Sequence, residues 1–239
     1  MAGRKSKSQG QHSPIMGIGQ IERVTMGERI YNELCQLLIA GKLQPGERLS
    51  LRTVAEALGV SMMPVREAVA RLVADGALTV HANRAITVPL MTVAKLRELT
   101  RIRIEIEGYA VAEAATRCTA GQLATIGRLD AAFRQATLAP EGGSDDSLRL
   151  NKELHFAIYE AAGSPVLLSI IEGLWLKVGP IFNLDLRAAR RFSTGAAEKH
   201  HAALVAALTR RDPEGARQAL AADILSSLEF VVTTGSLPD

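Results

Sequence analysis

Apolar positions along this chain change their spacing twice within the first ninety residues. Ile30, Leu34, Leu37 and Leu38 recur at helical spacing and Gly41 ends the run, which predicts a helix over 26–40. The Pro45-Gly46 pair marks a turn that leads to Ser50. Val54, Ala55 and Leu58 then share one helix face up to Gly59, and Val65, Val69, Leu72 and Val73 share another up to Gly76. After Gly76 the period shortens in two β-prone runs, Leu78-Thr79-Val80 and Ile86-Thr87-Val88. Helix, tight turn, helix and hairpin, with the first helix completing a three-helix core, is the order of a winged helix-turn-helix. Ser50 and Ser61 stand where N-caps are expected, Pro64 falls in a first turn, and Gly76 lies just past a helix end. With the apolar set turned inward, Met62, Met63, Arg66 and Arg71 lie elsewhere on the second of these helices. The N-terminal residues of such a helix are the ones that meet base edges in the major groove.

From about residue 93 the pattern is helical throughout. Six helices are predicted, at 93–117, 120–138, 146–162, 165–184, 194–210 and 213–234, with breaks at Gly- or Pro-containing segments. With no strand pattern, the expectation is an antiparallel helical bundle. The predicted fold class is therefore mainly α, a winged helix-turn-helix followed by an all-helical bundle. The predicted organisation is a tail over 1–20, a winged helix-turn-helix over 21–90, a linker over 91–94 and the bundle over 95–236.

Composition narrows this picture only modestly. Apolar residues make up 47% of the 239, enough for a real core, and the 4% of aromatics suits Leu- and Ala-rich helices. The net charge of +3 equals the contribution of Arg4, Lys5 and Lys7 in a tail without acids, so charge alone does not point to nucleic acid. Cys35 and Cys118 sit in apolar helical patterns and read as buried free thiols. The N-terminal stretch lacks an apolar run of signal-peptide type. The apolar stretch from Pro165 to Phe182 is interrupted by Glu172 and Lys177, so a cytoplasmic protein without a membrane span is expected.

The bundle also carries candidate chemistry. Asn151 and His155 are four apart and share a helix face. Of the adjacent pair His200 and His201, the stripe formed with Leu204, Val205 and Leu208 turns His201 inward. Asp223 lies on the apolar stripe of Ala216, Ala219 and Leu220, and a carboxylate there needs a partner. Imidazoles and a carboxylate meeting between helices form either a divalent-metal site or a hydrogen-bonded polar cluster. A hydrolytic metal site would need an acid such as Glu160 beside it, and none falls at a fitting spacing, so no enzyme activity is expected.

The run IYNELCQLLIAGKLQPGERLSLRTVAEALGVSMMPVREAVARLVADGALTVHANRAITV resembles the DNA-binding domain of GntR-type bacterial transcription regulators, in its PGERLS turn, LGVS corner, PVREA helix start and wing. The resemblance implies DNA contacts from Arg52, Ser61 (to phosphate) and Arg66, and from the wing tip with His81 and Arg84. Met62 and Met63 stand where the family usually has Arg-Thr, and Arg84-Ala85 replaces Arg-Gly, so Met62 and Met63 are expected to read their base differently, against a thymine methyl. Residues 95–234 resemble the FCD ligand-sensing domain of the FadR subgroup, in its VanR-like six-helix branch, through RIRIEIEGYAVAEAA, NKELHFAIYEAAGSP and HAALVAALTRRDPEGARQAL. By resemblance the metal ligands are Asn151, His155, His201 and Asp223, with Asp223 where His is usual, and Arg103 lines the effector pocket. Arg103 also has a structural reading, paired with Glu107 one turn on. What the resemblance implies is a homodimeric, ligand-responsive repressor. It would bind double-stranded operator DNA, a divalent metal (zinc or nickel, with manganese as the harder alternative) and a small carboxylate effector. The competing expectation is a constitutive DNA-binding regulator whose bundle holds a purely structural metal or polar cluster.

Overall fold

The computed structural model describes residues 25–82, 85–138, 143–187, 195–233 and 237–238, with the backbone alone for 143–145 and 182–187. Helix α1 (Met26–Ile39) begins at Thr25, whose hydroxyl accepts from the Glu28 N–H at 3.1 Å. Helix α2 (Leu51–Leu58) is capped as expected, with Ser50 Oγ accepting from Thr53 N at 3.3 Å, and ends on left-handed Gly59. Helix α3 (Met62–Ala74) starts at Ser61, but the Ser61 hydroxyl makes no capping bond, contrary to expectation. Pro64 occupies the third helical position and has no N–H to offer, so the cap loses its usual donor. The hydroxyl is left facing solvent.

The wing has a strand that the sequence pattern did not predict. Strand β1 (Arg48–Leu49) lies in the segment read as a turn and joins β2 (Thr79–Val80) and β3 (Ile86–Thr87) in an antiparallel sheet of order β1-β3-β2. Two residues are too few to show a period of two, so only pairing with Thr87 and Ile86 reveals them. Ile30, Leu34, Leu38, Val65, Val69, Leu72, Leu78 and Ile86 are buried, whereas Leu37 and Leu58, from the same periodic runs, are each 41% exposed. Leu37 lies at the margin of the α1 face marked by Ile30, Leu34 and Leu38; Leu58 is the last residue of α2.

Six helices follow: α4 (Val93–Arg117), α5 (Ala120–Thr137), α6 (Gly143–Ala161), α7 (Pro165–Arg187), α8 (Ala196–Thr209) and α9 (Pro213–Thr233). Their ends fall within three residues of expectation, α6 starting earlier and α7 running longer. Local chemistry sets the starts: Thr92 caps α4, Thr119 and Gln122 form a capping box on α5, and Asp212 Oδ1 takes the Gly215 N–H at 2.9 Å. Helix α9 packs along α4 and α8, with α5 against α6 and α8. Cys35 and Cys118 are buried free thiols, as expected. Among the described residues no helix is long and apolar enough to cross a membrane.

The winged unit is seated on α7, and one apolar core runs through both parts. At Gly179 the backbones of α7 and α1 meet: a Cβ there would stand 2.7 Å from Ile39 Cα and closer still to the Leu38 carbonyl oxygen. Lys177 Nζ donates to the Asp75 carbonyl at 2.8 Å and to that of Gly173 at 3.2 Å, and Lys152 Nζ donates to Gln36 Oε1. At the other end of the junction, Val93 N donates to the Pro238 carbonyl at 3.0 Å.

Adding one methyl at Gly179 forces these backbones apart. Gly179→Ala is expected to cost about 1–3 kcal/mol, or ~2–4 °C in Tm per kcal/mol. Gly173→Ala, with nothing within 4 Å of its Cβ, should match or slightly exceed the wild type. Thermal unfolding of both variants checks this; equal midpoints for the two would contradict close backbone packing at Gly179.

Candidate functional site

Three helices bring ionisable side chains together in the bundle interior. His155 on α6, His201 on α8 and Asp223 on α9 are all buried, and their ligating atoms lie within 4.8 Å of one another. His155 Nε2 is 3.4 Å from Asp223 Oδ2, and His201 Nε2 is 3.7 Å from Asp223 Oδ1. These separations are long for direct hydrogen bonds. They match the spacing of neighbouring ligands on one small ion: two donors about 2.1 Å from a tetrahedral zinc stand about 3.4 Å apart. Two imidazoles and one carboxylate also suit a divalent cation, so the residues fit a metal.

Apolar periodicity explains why these side chains point inward. His201 is fully buried beside Leu204 and Leu208 while His200 is half-buried, as the stripe required. Phe133 of α5 packs on the His201 ring at 4.7 Å, and the His155 and His201 rings are 5.2 Å apart. Asn151, the fourth expected ligand, is buried one turn before His155. Glu160 is exposed, so it does not stand beside the cluster as a general base would.

Beside the cluster lies a second buried assembly, centred on Glu107 of α4. Arg103 Nε donates to Glu107 Oε1 at 2.6 Å and Arg103 Nη2 to Oε2 at 3.2 Å. Oε2 also accepts from Tyr159 Oη at 2.5 Å and from Trp175 Nε1 at 3.2 Å. His155 Nδ1 is 3.1 Å from the same Tyr159 oxygen. Burial opposes charge on Arg103, yet the Glu107 carboxylate outweighs it and holds the guanidinium pKa above its ordinary value. Burial pushes the Tyr159 phenol well above the usual range, so it remains a neutral O–H. The structural reading of Arg103, pairing with Glu107, is thus present, and it engages two of the five guanidinium N–H groups.

Tyr159 and Trp175 were not singled out by the sequence reading. Tyr159 follows His155 by one helical turn, a visible signal, but nothing in the sequence places Trp175 against Glu107 across 68 residues.

The expected nucleic-acid contacts lie on the winged unit. Met62 and Met63 are 43% and 62% exposed at the start of α3, followed by exposed Arg66. Ser61 is exposed with its hydroxyl unused in capping. Arg52 is exposed and paired with Glu56 at 2.8 Å. His81 reaches back to Thr87 Oγ1 at 2.8 Å and shares a concave surface with Arg48, Ala82 and Ala85. Arg48 stands on strand β1. Arg84 lies outside the described residues.

Residues 26–88 match the family model described as bacterial regulatory proteins, gntR family, and residues 98–225 match the FCD domain model. The chain is 36% identical over 205 residues to the HTH-type transcriptional regulator McbR of Escherichia coli K12, covering 86% of this chain and 92% of that protein. A solved structure of E. coli McbR/YncC superposes with a TM-score of 0.83 at 33% identity, over 90% of this chain and all of that one. A GntR-type putative regulator from Rhodococcus sp. RHA1 shares the fold, with a TM-score of 0.70 at 22% identity over 87% of this chain and 97% of that one.

The Glu107 assembly yields a sharp energetic test. Glu107→Ala leaves Arg103 buried without its counter-charge, which should cost about 3–5 kcal/mol in urea unfolding. Removing the Arg52 partner through Glu56→Ala should leave the unfolding midpoint within experimental scatter, because that pair is solvent-exposed. A Glu107→Ala protein as stable as wild type would contradict the buried pair.

Proposed function

The chain belongs to the GntR family of bacterial regulatory proteins and carries an FCD domain, and from that premise we propose that it is a homodimeric, ligand-responsive repressor whose bundle binds a divalent metal and a small organic acid. It is a transcription regulator, not an enzyme. The observation that carries the finer reading is the convergence of His155, His201 and Asp223 beside a buried guanidinium. In this reading Asn151 completes the ligand set, and the ion is zinc or nickel, with manganese as the alternative. When bound, the metal supplies positive charge that a carboxylate oxygen can coordinate. Arg103 has N–H groups left over from Glu107 with which to orient the second oxygen.

On the DNA side, the exposed start of α3 enters the major groove. Arg66 meets a base edge, Met62 and Met63 lie against thymine methyls, and the Ser61 hydroxyl meets a phosphate. Arg52, His81 and Arg84 add contacts from α2 and the wing. A two-fold dimer reads two half-sites, and a ligand acts by favouring one placement of the two DNA-binding units over another. The second reading is a constitutive regulator whose bundle holds only a structural metal or polar cluster, and the closed Arg103–Glu107 pair is what favours it.

Metal content tests the site on which the first reading rests. Purified wild type is expected to hold a single divalent ion per chain and His155→Ala none, by elemental analysis after dialysis. Absence of metal from both would leave the bundle cluster as a hydrogen-bonded core element.

A further inference from the structure

Hydrogen-atom accounting around Tyr159 determines how the candidate centre is wired. Tyr159 has one O–H proton, and its 2.5 Å contact to Glu107 Oε2 takes that proton. Its oxygen therefore stands to His155 Nδ1, 3.1 Å away, as an acceptor. His155 must then carry a proton on Nδ1, so the neutral ring, the form that binds a metal, has its lone pair on Nε2, the atom directed at Asp223. A histidine whose far nitrogen donates to an oxygen, itself backed by a carboxylate, is oriented and made more basic as a ligand.

The same carboxylate oxygen also takes the Trp175 indole N–H, at the longer distance of 3.2 Å. With a cation on Nε2, the His155 Nδ1–H becomes a stronger donor, the Tyr159 O–H is polarised towards Oε2, and the bond from Trp175 to that oxygen must readjust. Trp175 sits on α7, one turn before Gly179, where α1 of the DNA-binding unit rests. We propose that Tyr159 is the positioning residue of the metal centre and, through Glu107, the link by which occupancy of that centre reaches Trp175 on α7. This rests on the metal reading above; Tyr159 itself touches neither the metal nor the effector in the scheme.

The test uses the full-length protein with Zn²⁺ alone as probe. Trp175 is the single tryptophan of the chain, so it gives one indole cross-peak in a ¹H–¹⁵N spectrum. Zn²⁺ affinity is read by competition with a fluorescent chelator. Tyr159→Phe is expected to weaken Zn²⁺ binding about 10- to 100-fold. At saturating Zn²⁺ it should also remove most of the indole shift seen in wild type. A long-range imidazole spectrum of the wild type, which needs no variant, should show His155 protonated at Nδ1 and bound to zinc through Nε2. Unchanged affinity and an unchanged indole shift in Tyr159→Phe, or zinc on Nδ1 of wild-type His155, would overturn the proposal while leaving the metal reading intact. A wild type that takes up no Zn²⁺ would overturn both.

Discussion

A carboxylate placed in a protein interior is costly unless donors surround it, and Glu107, with no solvent exposure, is held by four hydrogen bonds. Those donors come from α4, α6 and α7, so one buried charge fixes the relative register of three bundle helices. Arg103 reaches it one turn away on its own helix, Tyr159 aligns the α6 face that carries His155, and Trp175 pins α7. The metal-type cluster of His155, His201 and Asp223 is positioned as a consequence. One of its imidazoles is hydrogen-bonded to the tyrosine that serves Glu107.

Helix α7 then has two duties. Its inner face presents Trp175 to Glu107, and one turn later Gly179 lets the α1 backbone approach closely enough to exclude any side chain. Lys177, between them, ties the Asp75 carbonyl at the end of α3 to the same helix. A change of a few tenths of an ångström in α7 cannot be absorbed by side-chain rearrangement at a backbone-to-backbone contact. The proposed link from the bundle site to the DNA-binding unit runs through this contact.

Much of this was legible in the chain because apolar period and capping chemistry agree over long segments. The helices of the winged unit and of the bundle followed from runs such as Ile30–Leu38, from the cap at Ser50 and from Gly- and Pro-containing breaks between helices. The inward choice of His201 over His200 followed from the stripe it shares with Leu204 and Leu208. Three features were hidden. Strand β1 is too short to have a period, and Ser61 starts α3 without a side-chain capping bond, Pro64 at the third helical position having no N–H to give. Trp175 meets Glu107 only through tertiary packing, since no local rule connects residues on α4 and α7. Sequence gave the candidate ligands and the Arg103–Glu107 spacing; packing of α4, α6 and α7 was needed to join them.

The most direct test of that connection is the affinity of the protein for an operator duplex selected from a random library. It is measured by fluorescence anisotropy with zinc-loaded and chelator-stripped protein at one salt concentration. If occupancy of the bundle site biases the placement of the DNA-binding units, the two affinities should differ by about 5-fold or more, the span of ordinary coupling free energies. Identical affinities for fully loaded and fully stripped protein would contradict it.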